Sequence, residues 1–176
     1  MKFDALTEWR NFEAALIQEL KATPIAEFEK AWDGRLAKTA FYGSVLLPKI
    51  AESLGYKIAS EFLRVDFVIL NSDQVPVVFI ESENNHESGH EEIEKLCAVS
   101  APVRVLFLSC DWVEGEREKW LPGWLDIIAT HHKYYGQEAV YMIVVGEWRG
   151  TLQYSYYVES FDGSGKEIGR KELSLS

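Results

Sequence analysis

The chain has 176 residues, 18 Lys and Arg against 28 Asp and Glu, and a formal charge of −10; its hydrophobic share of 47% belongs to a globular chain and excludes a disordered one. No apolar run reaches the roughly 18 residues of a membrane span, and Met1-Lys2-Phe3-Asp4 passes straight into an acidic amphipathic pattern, so the expectation is a single cytoplasmic domain over residues 1–176 with no membrane partner. Two cysteines, Cys97 and Cys110, are too few for a disulfide framework or a zinc site and read as free thiols.

Phe3, Leu6, Trp9, Phe12, Leu16, Ile17 and Leu20 recur at steps of three and four, which predicts a helix over 3–21. Pro24 ends it or opens a short second one. A further helix is expected over 41–54, stopped by Gly55 and either begun or kinked by Pro48. Residues 61–70 and 75–81 are β-branched and aromatic, and the Asn71-Ser72-Asp73-Gln74 stretch between them has hairpin turn chemistry. Ile93, Leu96 and Cys97 make one stripe of a helix over 87–100, whose acidic first turn suits the positive end of the helix dipole. Residues 103–109 are apolar apart from Arg104 and Ser109, the pattern of a buried strand. A helix follows over 116–134, with Pro122-Gly123 interrupting its start, and His131-His132-Lys133 at its end. Three strands close the chain, over 138–147, 151–160 and 166–174, with turns at Trp148-Arg149-Gly150 and Asp162-Gly163-Ser164-Gly165. Helices alternate with strands in the middle, and hairpins end the chain. The expected fold class is α/β: a mixed central sheet flanked by helices, with C-terminal antiparallel strands.

The negative charge is concentrated. Residues 81–118 hold 3 basic and 10 acidic side chains, a net of −7. Such a segment is either a solvated face or a set of carboxylates able to take a cation. The overall balance excludes nucleic-acid binding by electrostatics alone. Neither a Gly-rich phosphate loop, nor a nucleophile elbow, nor a dinucleotide fingerprint is present. Tyr154, Tyr156 and Tyr157, with Trp148 and Tyr141, read as sheet-face packing at period two or as rings able to stack on bases.

The chemistry-bearing segment is Arg64-Val65-Asp66-Phe67 followed by Phe79-Ile80-Glu81-Ser82-Glu83-Asn84. Asp66 lies on the first strand of a hairpin, and Glu81 and Glu83 end the second, two apart and therefore on one face. The hairpin folds these carboxylates toward one another at the tip of an apolar strand. A carboxylate there is costly unless it is paired, and hard oxygen ligands suit Mg2+ or Mn2+.

This arrangement resembles the PD-(D/E)XK nuclease superfamily, the restriction-endonuclease-like fold, over roughly residues 41–110. In that family a helix with an acidic residue precedes a hairpin whose first strand supplies an Asp and whose second ends in (D/E)-x-K. The resemblance implies a three-layer restriction-endonuclease-like domain in which Asp66 and Glu81 hold Mg2+ or Mn2+. It also implies that Glu83 completes the shell or orients the attacking water, and that Glu52 is a second-metal or supporting ligand. Two departures stand out: Glu83 replaces the usual Lys, and Val65 the Pro before the Asp. Some members carry Glu-x-Glu and still cut DNA. Lys95, on the following helix, takes over the missing Lys by reaching back, or else is an ordinary surface Lys paired with Glu91 or Glu92. The implied activity is hydrolysis of DNA in bacterial defence or repair, or the fold of such an enzyme without its activity. Two other readings remain. The acidic face makes a protein-interaction module without catalysis, or His86-Glu87-Ser88-Gly89-His90, an H-E-x-x-H pattern, binds zinc as in a metalloprotease. Gly89 inside that pattern and Glu91-Glu92 after it speak against the last.

Overall fold

The computed structural model describes residues 3–109, 116–136, 138–148 and 154–175. In chain order the elements are α1 (Ala5–Ala22), α2 (Ile25–Ala31), α3 (Arg35–Phe41), a π-helical turn (Tyr42–Leu46) and α4 (Leu47–Ser53). Then come β1 (Lys57–Phe62), β2 (Val65–Leu70), β3 (Pro76–Glu83), a 3-10 turn (His86–Ser88), α5 (Gly89–Ala98), β4 (Val103–Ser109), α6 (Glu116–Tyr135), β5 (Val140–Trp148), β6 (Tyr154–Asp162) and β7 (Glu167–Leu175).

The seven strands form one sheet in sequence order, β1 to β7. β3, β4 and β5 run parallel, because α5 and α6 are the crossovers between them; every other neighbour is a hairpin and pairs antiparallel. Two apolar cores result, one on each face. Trp9, Phe12, Leu16, Phe28, Phe41, Leu47 and Ile50 of α1–α4 pack on Ile80, Val105, Val144 and Val158. Ile93, Leu96, Trp124 and Ile128 of α5 and α6 pack on Phe79, Leu106, Ile143 and Phe161. The protein is thus a three-layer α/β fold with a mixed sheet, as the sequence predicts.

Four local expectations are corrected. Helix 41–54 begins earlier: helical structure runs from Arg35 to Ser53, and the Leu47 N–H reaches the Tyr42 carbonyl five residues back just before Pro48. Widening that turn accommodates the proline ring. The run 61–70 is two strands, because Leu63-Arg64 turns with Phe62 paired to Val65. Pro122 and Gly123 do not interrupt α6; both are exposed, while Trp124 and Ile128 hold the helix on the sheet. The helix expected over 87–100 is α5, shorter at both ends. Cys97 is buried and free; Cys110, and Arg149 and Gly150 of the expected turn, lie outside the described residues. No helix among the described residues is long and apolar enough to cross a membrane.

Candidate carboxylate site at the end of the third strand

The β2–β3 ladder pairs Phe67 with Ile80 and goes no further toward the tip. Beyond that pair the backbone bonds pass to side chains. The Asp66 N–H points to Glu81 Oε2 at 3.4 Å, and the Ser82 N–H donates to Asp66 Oδ2 at 2.9 Å. Each carboxylate therefore accepts from the opposite strand, and the two occupy a fork between β2 and β3. Strand alternation puts both on the α5 face, beside Val68 and Phe79.

Glu81 is 1% exposed, and its Oε1 has no hydrogen-bond partner. Lys95 Nζ, from α5, stands 3.8 Å from that oxygen. Burial, then the Asp66 and Glu92 charges, push the Glu81 carboxyl up to about 8, against the opposing pull of Lys95. Lys95 itself donates to Glu92 Oε2 at 2.6 Å. Burial acts to lower the Lys95 ammonium, but the Glu92 hydrogen bond and the charges of Glu81, Glu92 and Asp66 outweigh it and raise it. Glu92 is 8% exposed, so an acidic side chain of α5 is spent holding this lysine in place.

Another buried carboxylate on this face shows the contrast. Glu159 has Arg170, its cross-strand partner, with Nε at 3.1 Å. Burial raises its carboxyl while Arg117 and Arg170 hold it down. Glu81 has no cation at that distance; it has a second carboxylate instead.

The other sequence-predicted residues sit apart from the fork. Glu83 turns back on its own chain: Oε1 accepts from the Asn84 and Asn85 N–H groups at 2.6 and 2.8 Å and lies 3.6 Å from the Arg35 guanidinium. Glu52 is exposed on α4, a helix of the opposite layer. The H-E-x-x-H pattern is split between the 3-10 turn and α5. The His86 ring packs edge-on against Trp120 with Nε2 4.0 Å from Glu116, while His90 Nδ1 is 2.9 Å from the Glu87 carbonyl. Gly89 belongs to packing: a Cβ there would lie 2.7 Å from the buried Trp124 ring. Among the described residues no group of three or more His, Cys, Asp or Glu is arranged to hold a metal ion.

Sequence reasoning missed Glu92 as a site residue, although its spacing of three from Lys95 was the signal. It also missed Arg35, for which the sequence carries no signal. No protein-family model and no curated protein sequence matches this chain.

Proposed function

We propose that this chain is a metal-dependent phosphodiester hydrolase acting on DNA, built in the manner of the PD-(D/E)XK nucleases and working in the cytoplasm. The observation that carries this reading is the fork, where Glu81 reaches Asp66 through one oxygen while its other, buried and without a hydrogen-bond partner, stands 3.8 Å from a lysine of the next helix. Folding gains nothing from two carboxylates placed so close. Their chemistry fits Mg2+ or Mn2+, which take one or two protein carboxylates and leave room for water and phosphate.

When bound, the cation supplies a lower pKa for an attacking water and offsets charge on the phosphate. Asp66 and Glu81 would hold it. Lys95 presents its ammonium to the phosphate where negative charge builds, the task of the motif's missing Lys. Glu92 orients Lys95. Glu83 orients the water, once released from its backbone partners.

A second reading has its own observation. Glu91 and Glu94 line the exposed side of α5, with Glu87 exposed on the turn before it, and an acidic helix face suits a basic protein partner. In that reading the chain keeps the fold of a nuclease and works as an interaction module.

One experiment separates them. Supercoiled plasmid is incubated with the protein and Mg2+ or Mn2+, and the thermal midpoint is followed with each ion. The hydrolase reading expects nicking and a raised midpoint, since a ligand of the native state stabilises it. Asp66→Asn and Glu81→Gln should lose both while staying folded. A wild type that neither nicks DNA nor responds to Mn2+ leaves the interaction module as the reading that stands.

A further inference from the structure

The β1–β2 turn breaks the local rule for its shape. Glu61, Leu63 and Arg64 have φ of 53°, 54° and 66°, in the left-handed region that costs a residue with a Cβ on the order of 1 to 2 kcal/mol. A two-residue hairpin turn with both φ positive selects Asn-Gly or Gly-Gly; this one holds Leu-Arg. Burial does not explain the choice, because Leu63 is 69% exposed and Arg64 is also exposed. Among the described residues Arg64 makes no ion pair. Conflicts of this kind concentrate where a residue is kept for what it touches.

The turn's position says what that is. Arg64 precedes Asp66 by two residues, so at about 3.3 Å per residue it stands roughly 7 Å from the fork. That is the reach of the one or two nucleotides flanking a phosphate held there. The turn is also braced, since the Phe62 ring packs against Phe79 of β3 with centroids 6.1 Å apart. An unpaired arginine with an exposed apolar neighbour has the chemistry that meets a phosphate and enters a groove.

We propose that the Leu63-Arg64 turn docks duplex DNA beside the fork, Arg64 on a backbone phosphate and Leu63 wedged against a base step. This inference rests on the nuclease reading above and deepens it by naming the docking element.

The test is the double variant Leu63→Asn/Arg64→Gly, which installs the residues the turn geometry favours. Binding of a fluorescein-labelled DNA duplex is followed by anisotropy across a salt series, with thermal midpoints taken with and without Mn2+. The expected result pairs a higher midpoint with duplex affinity weaker on the order of tenfold, the Mn2+ response being kept. Arg64→Ala alone, which leaves Leu63 in place, should flatten the salt dependence by about one phosphate contact. A double variant that binds duplex as tightly as the wild type overturns the docking role and leaves the fork's function standing. A wild type that binds no duplex overturns the nucleic-acid reading and the docking role together.

Discussion

Glu81 combines three conditions that seldom meet in one residue: near-complete burial, an oxygen without a hydrogen-bond partner, and a second carboxylate across the fork. The consequence is a pH dependence of defined sign. In the unfolded chain the carboxyl titrates near 4.5; in the fold it is pushed up to about 8. Between those values the folded state holds a proton that the unfolded state has lost. Its contribution to stability is therefore complete below about 4.5 and is lost as pH rises through about 8. Urea midpoints taken without divalent metal should fall over that window, and Glu81→Gln, which carries no titrating group, should flatten the slope. A wild type and a Glu81→Gln variant with parallel profiles would show that Glu81 does not titrate there. Legibility at this scale was partial. That an acidic pair ends an apolar strand is visible in the sequence. That Glu81 turns into the fork while Glu83 caps the following loop is decided by backbone N–H groups whose directions no residue type announces.

α5 is the element that completes the site, since it delivers Lys95 and Glu92 and lies directly on α6. Its seat depends on Gly89, where a Cβ would come 2.7 Å from the Trp124 ring, and Trp124 is too buried to yield. Alanine improves helix propensity by about 1 kcal/mol at most, whereas overpacking a close contact costs about 1 to 3 kcal/mol. The contact wins, so Gly89→Ala should lower the urea midpoint with an unchanged slope. A midpoint at or above wild type would mean that the helices separate without cost. The sequence presents this glycine inside a zinc-binding pattern, and only the neighbouring helix shows what it is for. Turns were unevenly legible for the same reason. Asn71 accepts from the Asp73 and Val75 N–H groups at 3.0 and 2.9 Å, which its residue type foretells. Leu63-Arg64 carries no turn signal, and so the end of β1 reads into β2 while residues 57–60 do not read as a strand.

For the whole molecule, the net charge of −10 acts on the compact state as self-repulsion. Sodium chloride screens charges over about a Debye length, so moderate salt should raise the thermal midpoint by about 2 to 4 °C, equivalent to about 1 kcal/mol. Run above about pH 8, where Glu81 is ionised, the same salt series with Asp66→Asn/Glu81→Gln should show a smaller gain, because that variant lacks the fork's own repulsion. An identical gain would place the repulsion elsewhere.

The sequence alone determined the fold class, because hydrophobic period and element order leave few ways to bury what they expose. Strands 103–109 and 138–147, mainly apolar, lie in the parallel centre under helices on both faces. It also suggested that Asp66 and Glu81 approach each other across the hairpin, but their common face depends on the irregularity between Ile69 and Leu70, which shifts the register by one. Only the tertiary structure decided the rest. It left Glu52 on the opposite layer, drew Glu83 to Arg35, and brought Lys95 over Glu81 on the clasp of Glu92. Those outcomes depend on how helices far apart in the chain seat against one sheet, and that seating is set by packing among side chains that no local pattern encodes.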